Sequence, residues 1–238
     1  MLQRLDKLIS SQGTYSRKQA QDLIKNGSVK VNGAVVRDRG AKIDDAVACI
    51  SINNEKMNIE KFVYIMLNKP KGVVSATNDK KVKTVIDLVP NEYRRRNLFP
   101  AGRLDITTTG FVLITDDGDF AHRILSPKNH IEKTYEARLA EPISDSQLNS
   151  VADGIVLKDG TECLPAKLNI IEIGEHPLVE IKICEGKYHQ IKRMFAAAGN
   201  GVIELKRTKM GGLKLDDSLS EGECRLLTPD EVKNIENC

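Results

Sequence analysis

The chain has 238 residues, of which 40% are apolar and 29% are charged, and its net charge at pH 7 is only +3. This composition supports a folded core, and the length fits one large domain or two smaller ones. No apolar run approaches membrane-spanning length and no secretory leader is evident, so we expect neither a membrane nor an export role. Five scattered cysteines without a Cys-x-x-Cys pair argue against a disulfide framework or a zinc site, and they favour a reducing, cytoplasmic location.

The positive charge is concentrated in the first part of the chain. Residues 1–42 carry nine lysines and arginines against three aspartates, which is a net +6, so the remainder carries −3. A compact basic segment on a near-neutral body is typical of a protein that holds nucleic acid through its phosphates. A solvated basic face would give the same composition, so both interpretations stay open at this point.

Two short helices and a hairpin are predicted in the basic segment. Apolar spacing predicts a helix over 4–12, and Ser16 is a typical N-cap for a second helix over 17–25. Asn32-Gly33 between alternating valines predicts a hairpin over 29–36, and a short strand follows at 47–50. The exposed cations of this segment would contact phosphates, which position a protein on RNA without reading its sequence. They are Arg17, Lys18, Lys25, Lys30, Arg37 and Arg39.

A polar, mixed stretch over 51–58 separates this segment from the rest of the chain and is interpreted as a linker. We therefore place a domain boundary near residue 60. The predicted domains cover 1–60 and 61–238.

Many strands and few helices are predicted in the second domain. The predicted strands cover 62–67, 135–139, 167–173, 178–183 and 202–205, the predicted helices cover 119–125, 188–198 and 229–235, and 84–89 is a short helix or strand. A basic, glycine-bearing loop is predicted over 206–213, and Arg94–Arg96 adds a small basic cluster. In the turn that follows the first strand, Lys69 and Lys71 either contact RNA phosphate or are simply solvated. Strands interspersed with a few separated helices predict an α+β fold with a mainly antiparallel sheet.

The segment 98–118 combines a carboxylate with a buried strand. Phe111–Ile114 is an apolar run that predicts a strand, and a turn follows it at 116–118. Ahead of this strand, Asp105 lies between Arg103 and a loop of three threonines and Gly110. Such a loop can hold a polar ligand, but a plain turn cap at Asp105 would show the same pattern.

Five segments that follow one another in a fixed order resemble the RNA pseudouridine synthases. They are Asn68–Gly72, Gly102–Asp105 with the threonines after it, Glu132–Tyr135, Glu185–Phe195 and Gly211–Leu213. Within that family the chain resembles the branch that modifies small-subunit rRNA, and its first 60 residues resemble the S4 RNA-binding domain. The resemblance implies an α+β fold in which a small S4-like domain precedes a catalytic domain with a mainly antiparallel, mixed sheet and flanking helices.

The resemblance also implies the reaction and its residues. A uridine is isomerised to pseudouridine when the N1–C1′ bond breaks and the uracil is rejoined through C5, a change that needs no metal and no other cofactor. By resemblance Asp105 is the catalytic carboxylate, as nucleophile or as base. Tyr135 would stack on the uracil, and Lys192 would pair with the acid at a position where the wider superfamily has arginine.

Two further residues receive a role by resemblance. Arg103 would contact the backbone phosphate beside the nucleotide that leaves its stack. Leu205 would form a wall of the base pocket, although an ordinary core leucine is an equally simple interpretation. His189, which lies within the predicted helix over 188–198, is interpreted as polarity of the helix surface, because no serine or cysteine partner is evident. Asp116–Asp119 resembles half of a calcium loop but lacks the later ligands, so a turn is favoured.

The implied partner is rRNA, either free or in an assembling small subunit, and nothing in the sequence demands more than a monomer. The implied target is uridine 516 of 16S rRNA. A synthase of the same family that acts on 23S rRNA is the first alternative. The second is a non-catalytic rRNA-binding assembly factor of the S4 type, which would have no chemical need for Asp105, Tyr135 and Lys192 together.

Overall fold

The computed structural model describes residues 2–44, 48–91, 93 and 97–237. The chain divides into two compact units, one formed by Met1–Val63 with Val89–Leu98 and the other by Tyr64–Leu88 with Phe99–Cys238. The boundary near residue 60 stays a prediction. The basic cluster Arg94–Arg96 and the first residue of the strand expected at 47–50 lie outside the described residues.

The first unit consists of two helices and two small antiparallel sheets. Its helices are α1 (Leu5–Ser11) and α2 (Arg17–Lys25). The strands are β1 (Leu2–Arg4), β2 (Val29–Val31), β3 (Ala34–Val35), β4 (Lys42–Asp44), β5 (Ile50–Ile52) and β6 (Glu55–Met57). One sheet has the order β3-β2-β5-β6, and β1 pairs with β4. Apolar side chains of both helices and of β2 and β5 form its core.

Local signals explain why these elements form where they do. Ser16 and Gln19 complete a reciprocal capping box at the start of α2, as the sequence predicts. Asn32 and Gly33 both adopt positive φ, at 51° and 84°, which a two-residue hairpin turn between β2 and β3 requires. The predicted linker over 51–58 is wrong, because β5 and β6 pair there as a second hairpin. Its turn is made by Asn53 and Asn54, again at positive φ.

The second unit is built around one nine-stranded sheet. Its strands are β7 (Tyr64–Lys69), β8 (Phe99–Ala101), β9 (Thr109–Thr115), β10 (Lys133–Leu139), β11 (Lys167–Glu172), β12 (Leu178–Ile183), β13 (Val202–Met210), β14 (Leu213–Lys214) and β15 (Cys224–Leu226). The main order is β11-β12-β10-β13-β9-β7-β15, while β14 pairs with β13 and β8 with β9. All of these pairs are antiparallel except β9 with β13, so the sheet is mixed. The α+β class with a mainly antiparallel sheet is thereby confirmed.

Four helices flank this sheet. They are α3 (Gly118–Leu125), α4 (Asp145–Ala152), α5 (Gln190–Ala197) and α6 (Pro229–Glu236), with single 3₁₀ turns at Ile86–Leu88 and Pro127–Asn129. Helices α3 and α6 pack on a core with β7, β9, β13 and β14. Helix α4 was not predicted. None of the helices in the described part of the chain is long and apolar enough to cross a membrane.

The central strands differ from the sequence expectation in two places. The predicted loop over 206–213 is wrong, since β13 continues to Met210 and turns at Gly211-Gly212 into β14. The strand predicted over 111–114 begins earlier, at Thr109, so Gly110 belongs to β9 and not to a ligand-holding loop. A Cβ on Gly110 would lie 2.3 Å from the main-chain oxygen of Arg207 on β13. Glycine at this position therefore permits the close parallel approach of β9 to β13, and segment 102–108 leads directly into this central strand.

Candidate active site

Asp105 lies in the segment that enters β9, and the main chain of this segment is fixed on both sides of the aspartate. The hydroxyl of Ser75 accepts a hydrogen bond from the Leu104 nitrogen and donates one to the Leu104 oxygen, both at 3.0 Å and both buried. The Thr108 nitrogen donates to the Asp105 oxygen at 3.0 Å, which closes a turn. The backbone around Asp105 is thus held by main-chain and hydroxyl groups, and the carboxylate is left to face the cleft described below.

Lys69 at the end of β7 holds the main chain of the same segment through hydrogen bonds. Its ammonium donates to the main-chain oxygens of Pro70 at 3.1 Å, Asp105 at 3.1 Å and Thr108 at 2.8 Å. The residue is fully buried, so the expectation that it is solvated or contacts phosphate is wrong. Burial lowers the pKa of Lys69 to about 8, while the nearby charge of Asp105 acts in the opposite direction.

Two donors face the two oxygens of the Asp105 carboxylate. Nε2 of His189 lies 3.4 Å from Oδ1, and Nζ of Lys192 lies 4.0 Å from Oδ2. Lys192 also donates to the hydroxyl of Thr107 at 2.6 Å, which directs its ammonium toward this segment. The side chains of Asp105 and Lys192 are each about a quarter exposed, so the arrangement is open to solvent and not a sealed ion pair.

His189 was assigned the wrong environment by the sequence. It is not on the surface of a helix but immediately precedes α5, with φ of 47° in the left-handed region. Its ring stacks on Tyr188 with 3.9 Å between centroids, and its edge reaches Asp105. Helical periodicity carries no information about this placement, because the chain turns sharply at this residue and Asp105 is remote in sequence.

A buried network holds the turn that presents His189. Glu185 is buried, and its Oε1 accepts hydrogen bonds from the Leu164 nitrogen at 2.9 Å and from the Gln190 side chain at 2.6 Å. Its Oε2 lies 2.7 Å from the ammonium of Lys187, whose main-chain nitrogen donates to Oε1 of Gln190. These bonds fix the start of α5, and with it the positions of His189 and Lys192.

Tyr135 lies on β10 beside Arg207 of β13, in register with it across the sheet. Both residues are buried. The guanidinium of Arg207 donates to the main-chain oxygen of Phe111 at 2.7 Å and to the Tyr135 hydroxyl at 3.4 Å. Its Nη2 has no hydrogen-bond partner among the described residues, which is unusual for a buried cation. Arg207 was not singled out by the sequence, where it looks like part of a basic loop.

Several of these residues line one cleft that contains about 410 Å³ of space including its open mouth. Asp105, Tyr135 and Leu205 all line it, and the exposed side chain of Arg103 stands at the same cleft. Other apolar walls come from Leu104, Ile183 and Ile191. The cleft therefore offers a planar aromatic ring, apolar walls and one carboxylate, which together suit a flat, weakly polar ring presented beside a reactive acid.

The remaining predicted site residue, Lys192, lies within reach of that carboxylate as described above, so four of the residues expected at the site meet around Asp105.

In the first unit, the side chains of Arg17, Lys18, Lys25 and Arg37 are exposed and Lys30 is half-buried. Lys30 donates to the Asn54 side chain at 2.9 Å, and Arg37 donates to the Lys25 oxygen at 3.1 Å. Arg39 is exposed as well.

One buried acid organises the helices that carry these cations. Asp6 accepts two hydrogen bonds from Arg4, each at 3.0 Å, and one from Gln21 at 2.8 Å, while Arg17 lies 3.4 Å away. The hydrogen bonds from Arg4 hold the pKa of the Asp6 carboxyl far below its usual range, although burial opposes them. Arg17 therefore has a structural contact within its own unit as well as an exposed side chain.

No group of three or more histidine, cysteine, aspartate or glutamate side chains that could hold a metal ion occurs in the described part of the chain. The partial calcium motif forms a helix cap instead. Asp117 accepts a hydrogen bond from the Phe120 nitrogen at 3.0 Å and one from the Tyr64 hydroxyl at 2.6 Å. The turn expected at 116–118 is thus confirmed.

Comparison with known proteins gives this cleft a context. Residues 63–197 match the family model described as RNA pseudouridylate synthase, and residues 3–45 match the S4 domain. The chain is 42% identical over 230 residues to an uncharacterized RNA pseudouridine synthase of Bacillus subtilis (strain 168), covering 96% of each chain. It is also 42% identical to the ribosomal small subunit pseudouridine synthase A of Haemophilus influenzae, covering 98% of this chain and 99% of that one.

A solved structure described as a pseudouridylate synthase has the same fold. It is 42% identical to this chain, with a TM-score of 0.68, and the match covers 98% of this chain and 99% of the other. Matches of this identity and extent, together with the family model over more than half of the residues, establish the relationship. The chain is a member of the RNA pseudouridylate synthase family with an S4 domain at its N-terminus, and it is therefore an isomerase.

Proposed function

We propose that this enzyme converts uridine 516 of 16S rRNA to pseudouridine and that Asp105 is the catalytic carboxylate. The observation that carries the assignment of Asp105 is its position. Its backbone is fixed by Ser75 and Lys69, and its carboxylate faces a cleft lined by Tyr135 and Leu205. The small-subunit target is supported by relatives named ribosomal small subunit pseudouridine synthase A.

The proposed reaction needs one carboxylate and a shaped cleft. The N1–C1′ bond of the target uridine breaks, the uracil rotates, and a C5–C1′ bond forms while the proton on C5 is released to solvent and N1 takes up a proton from solvent. Asp105 either attacks the nucleotide covalently or removes a proton from the ribose, and both routes use the ionised acid. His189 and Lys192 face the two oxygens of this acid and are placed to orient it toward the substrate.

The remaining residues bind the substrate in this proposal. Tyr135 stacks on the uracil, and Leu205 contributes an apolar wall, so that the base is held while it is detached from the ribose. Arg103 contacts the phosphate beside the extruded nucleotide, since its exposed guanidinium stands at the cleft. The cations of the first unit contact phosphates and add affinity without sequence preference. We propose that the enzyme acts as a monomer in the cytoplasm, where its rRNA substrate is found.

The test of the target is tritium release from RNA labelled at C5 of uridine. The enzyme is given 16S rRNA alone, 16S rRNA in a partly assembled small subunit, and 23S rRNA. Release from a 16S substrate at one equivalent per molecule, lost when uridine 516 is replaced by cytidine, is the expected result. Release from 23S rRNA alone would retain the chemistry and replace the target. Binding without release from any of them would favour an assembly role.

A further inference from the structure

Tyr188 is an aromatic side chain displayed to solvent at the rim of the cleft. The chain contains five tyrosines, five phenylalanines and no tryptophan, and all ten rings belong to described residues. Tyr188 is the one among them that projects largely into solvent, with 71% of its surface accessible. An isolated exposed tyrosine needs no explanation, but the surroundings of this one are ordered in a particular way.

The first ordered feature is its stacking partner. The rings of Tyr188 and His189 are 3.9 Å apart and inclined by only 19°, and the far edge of the imidazole reaches Oδ1 of Asp105 at 3.4 Å. The two rings therefore form a stack whose inner ring contacts the carboxylate through its edge and whose outer ring is exposed to solvent. A flat molecule placed on the outer face of Tyr188 would extend the same stack.

The second feature is the backbone that holds the pair. His189 has φ of 47° and ψ of 35°, a left-handed conformation that a residue with a Cβ adopts at an energetic cost. It is retained by hydrogen bonds on both sides. The Tyr188 oxygen accepts from the side chain of Arg193 at 3.2 Å, and the His189 oxygen accepts from the nitrogen of the same residue at 3.0 Å. Strained backbone of this kind is concentrated at functional sites.

The third feature is the charge around the stack. Lys187, Lys192 and Arg193 lie within five residues of Tyr188, and between 28% and 34% of each side chain is exposed. Lys187 and Arg193 each also pair with a carboxylate. Cations beside an exposed aromatic ring are the combination that binds single-stranded nucleic acid, where the rings stack on bases and the charges follow the backbone. A protein partner would be expected to contact a broader apolar patch, and the neighbours of Tyr188 are charged instead.

We propose that Tyr188 is a stacking platform for a nucleotide adjacent to the target uridine, with His189 as the second ring that fixes its plane. When the target base enters the cleft, its neighbour loses one stacking partner, and the outer face of Tyr188 replaces that partner. Because His189 contacts both Tyr188 and the Asp105 carboxylate, binding of the adjacent nucleotide helps to position the extruded nucleotide against Asp105. The inference rests on an RNA substrate and not on the identity of the target rRNA.

The experiment uses a short RNA fragment, from either subunit, that the full-length enzyme is shown to turn over by tritium release. Affinity is measured by fluorescence anisotropy for the wild type, Tyr188→Ala and Tyr188→Phe. We expect Tyr188→Ala to bind about 5- to 150-fold more weakly, the range for loss of one base–aromatic stack, and Tyr188→Phe to bind within about twofold of the wild type. Ile173→Ala is the control, because Ile173 is 93% exposed and does not line the cleft.

The decisive arm removes the base instead of the ring. Each nucleotide beside the target is replaced in turn by an abasic ribose. At one of the two positions the replacement should weaken binding to the wild type by a similar factor and leave binding to Tyr188→Ala unchanged. If the abasic replacements weaken both proteins equally, or if Tyr188→Ala binds all the RNAs as the wild type does, the platform is disproved. An incorrect 16S assignment would appear only in the choice of fragment.

Discussion

The ammonium of Lys69 donates a hydrogen bond to the main-chain oxygen of Asp105, with 3.1 Å between the two atoms. The same ammonium bonds the oxygens of Pro70 and Thr108, so one buried cation joins the end of β7 to both ends of the turn that carries the carboxylate. The ammonium has three N–H groups, which matches the number of carbonyl oxygens that it contacts. Lys69 is therefore a positioning residue for Asp105.

Replacing this lysine should damage catalysis more than RNA binding. Lys69→Met keeps much of the side-chain volume but leaves three carbonyl oxygens without their donor. We expect kcat to fall by about a hundredfold, the scale of a small misplacement of a reacting group, while KM changes little. Lys71→Met is the matched control, because Lys71 is exposed and its ion pair with Glu204 at 3.4 Å is a surface pair of little energetic worth. Equal loss in both variants would contradict the positioning role.

The burial of Lys69 also predicts how stability depends on pH. In the folded protein its pKa is about 8, against an ordinary value of 10.5. Between these two values the unfolded chain binds the proton and the folded chain does not, so the free energy of unfolding rises with pH across this interval. Over the whole interval between the two pKa values, the free energy of unfolding rises by about 3 kcal/mol. Urea unfolding of the wild type minus that of Lys69→Met should show this rise, and a flat difference from pH 7.5 to 10 would refute it.

Two substitutions at Tyr135, which lies beside Arg207, should separate the structural role of its hydroxyl from the stacking role of its ring. Tyr135→Phe removes the acceptor that Nη1 of the buried Arg207 uses. Nη2 of the same arginine already has no partner among the described residues. We expect a loss of about 1 kcal/mol in stability and less than about fivefold in kcat. Tyr135→Leu removes the ring and should lower kcat by at least about tenfold. If Tyr135→Phe is as inactive as Tyr135→Leu, the hydroxyl acts in the reaction and stacking alone is insufficient.

The basic residues of the first unit should determine the salt dependence of RNA binding. Each phosphate contact made by a lysine lowers the slope of log Kobs against log salt by about 0.7 to 0.9. Lys18→Gln and Lys25→Gln should each flatten the slope by about this amount and leave kcat unchanged. Lys158→Gln, an exposed lysine of the second unit that does not line the cleft, is the control. An unchanged slope in the first two variants would show that this unit does not hold the RNA.

Local signals in the sequence predicted local structure well. The helix over 17–25 is confirmed to the residue, because Ser16 and Gln19 form a capping box and Asn26-Gly27 ends the apolar periodicity. The hairpin at Asn32-Gly33 is confirmed for the same kind of reason, since asparagine and glycine tolerate the positive φ of its turn. Each of these features is encoded within about ten residues of chain.

Features that depend on distant residues were not predictable. Strand β13 carries Lys206 and Lys209, and only its position between β9 and β10 makes those residues part of a strand. The buried position of Lys69 depends on carbonyl oxygens of distant residues. One of them belongs to Asp105, which is 36 residues away in the sequence. His189 and Arg207 were missed for the same reason, because their partners Asp105 and Tyr135 are brought to them by the sheet. Four of the five residues expected at the site line the cleft and the fifth, Lys192, lies beside Asp105, but nothing local in the sequence specifies their geometry.

The most direct test of the central claim is tritium release by Asp105→Asn. The asparagine has nearly the shape of aspartate, and the main-chain bonds to Ser75 and Lys69 do not involve the carboxylate, so the cleft should remain intact. We predict that this variant releases no tritium from C5-labelled 16S rRNA while its affinity for that RNA stays within about threefold of the wild type. Release at a rate near that of the wild type would show that Asp105 does not perform the chemistry.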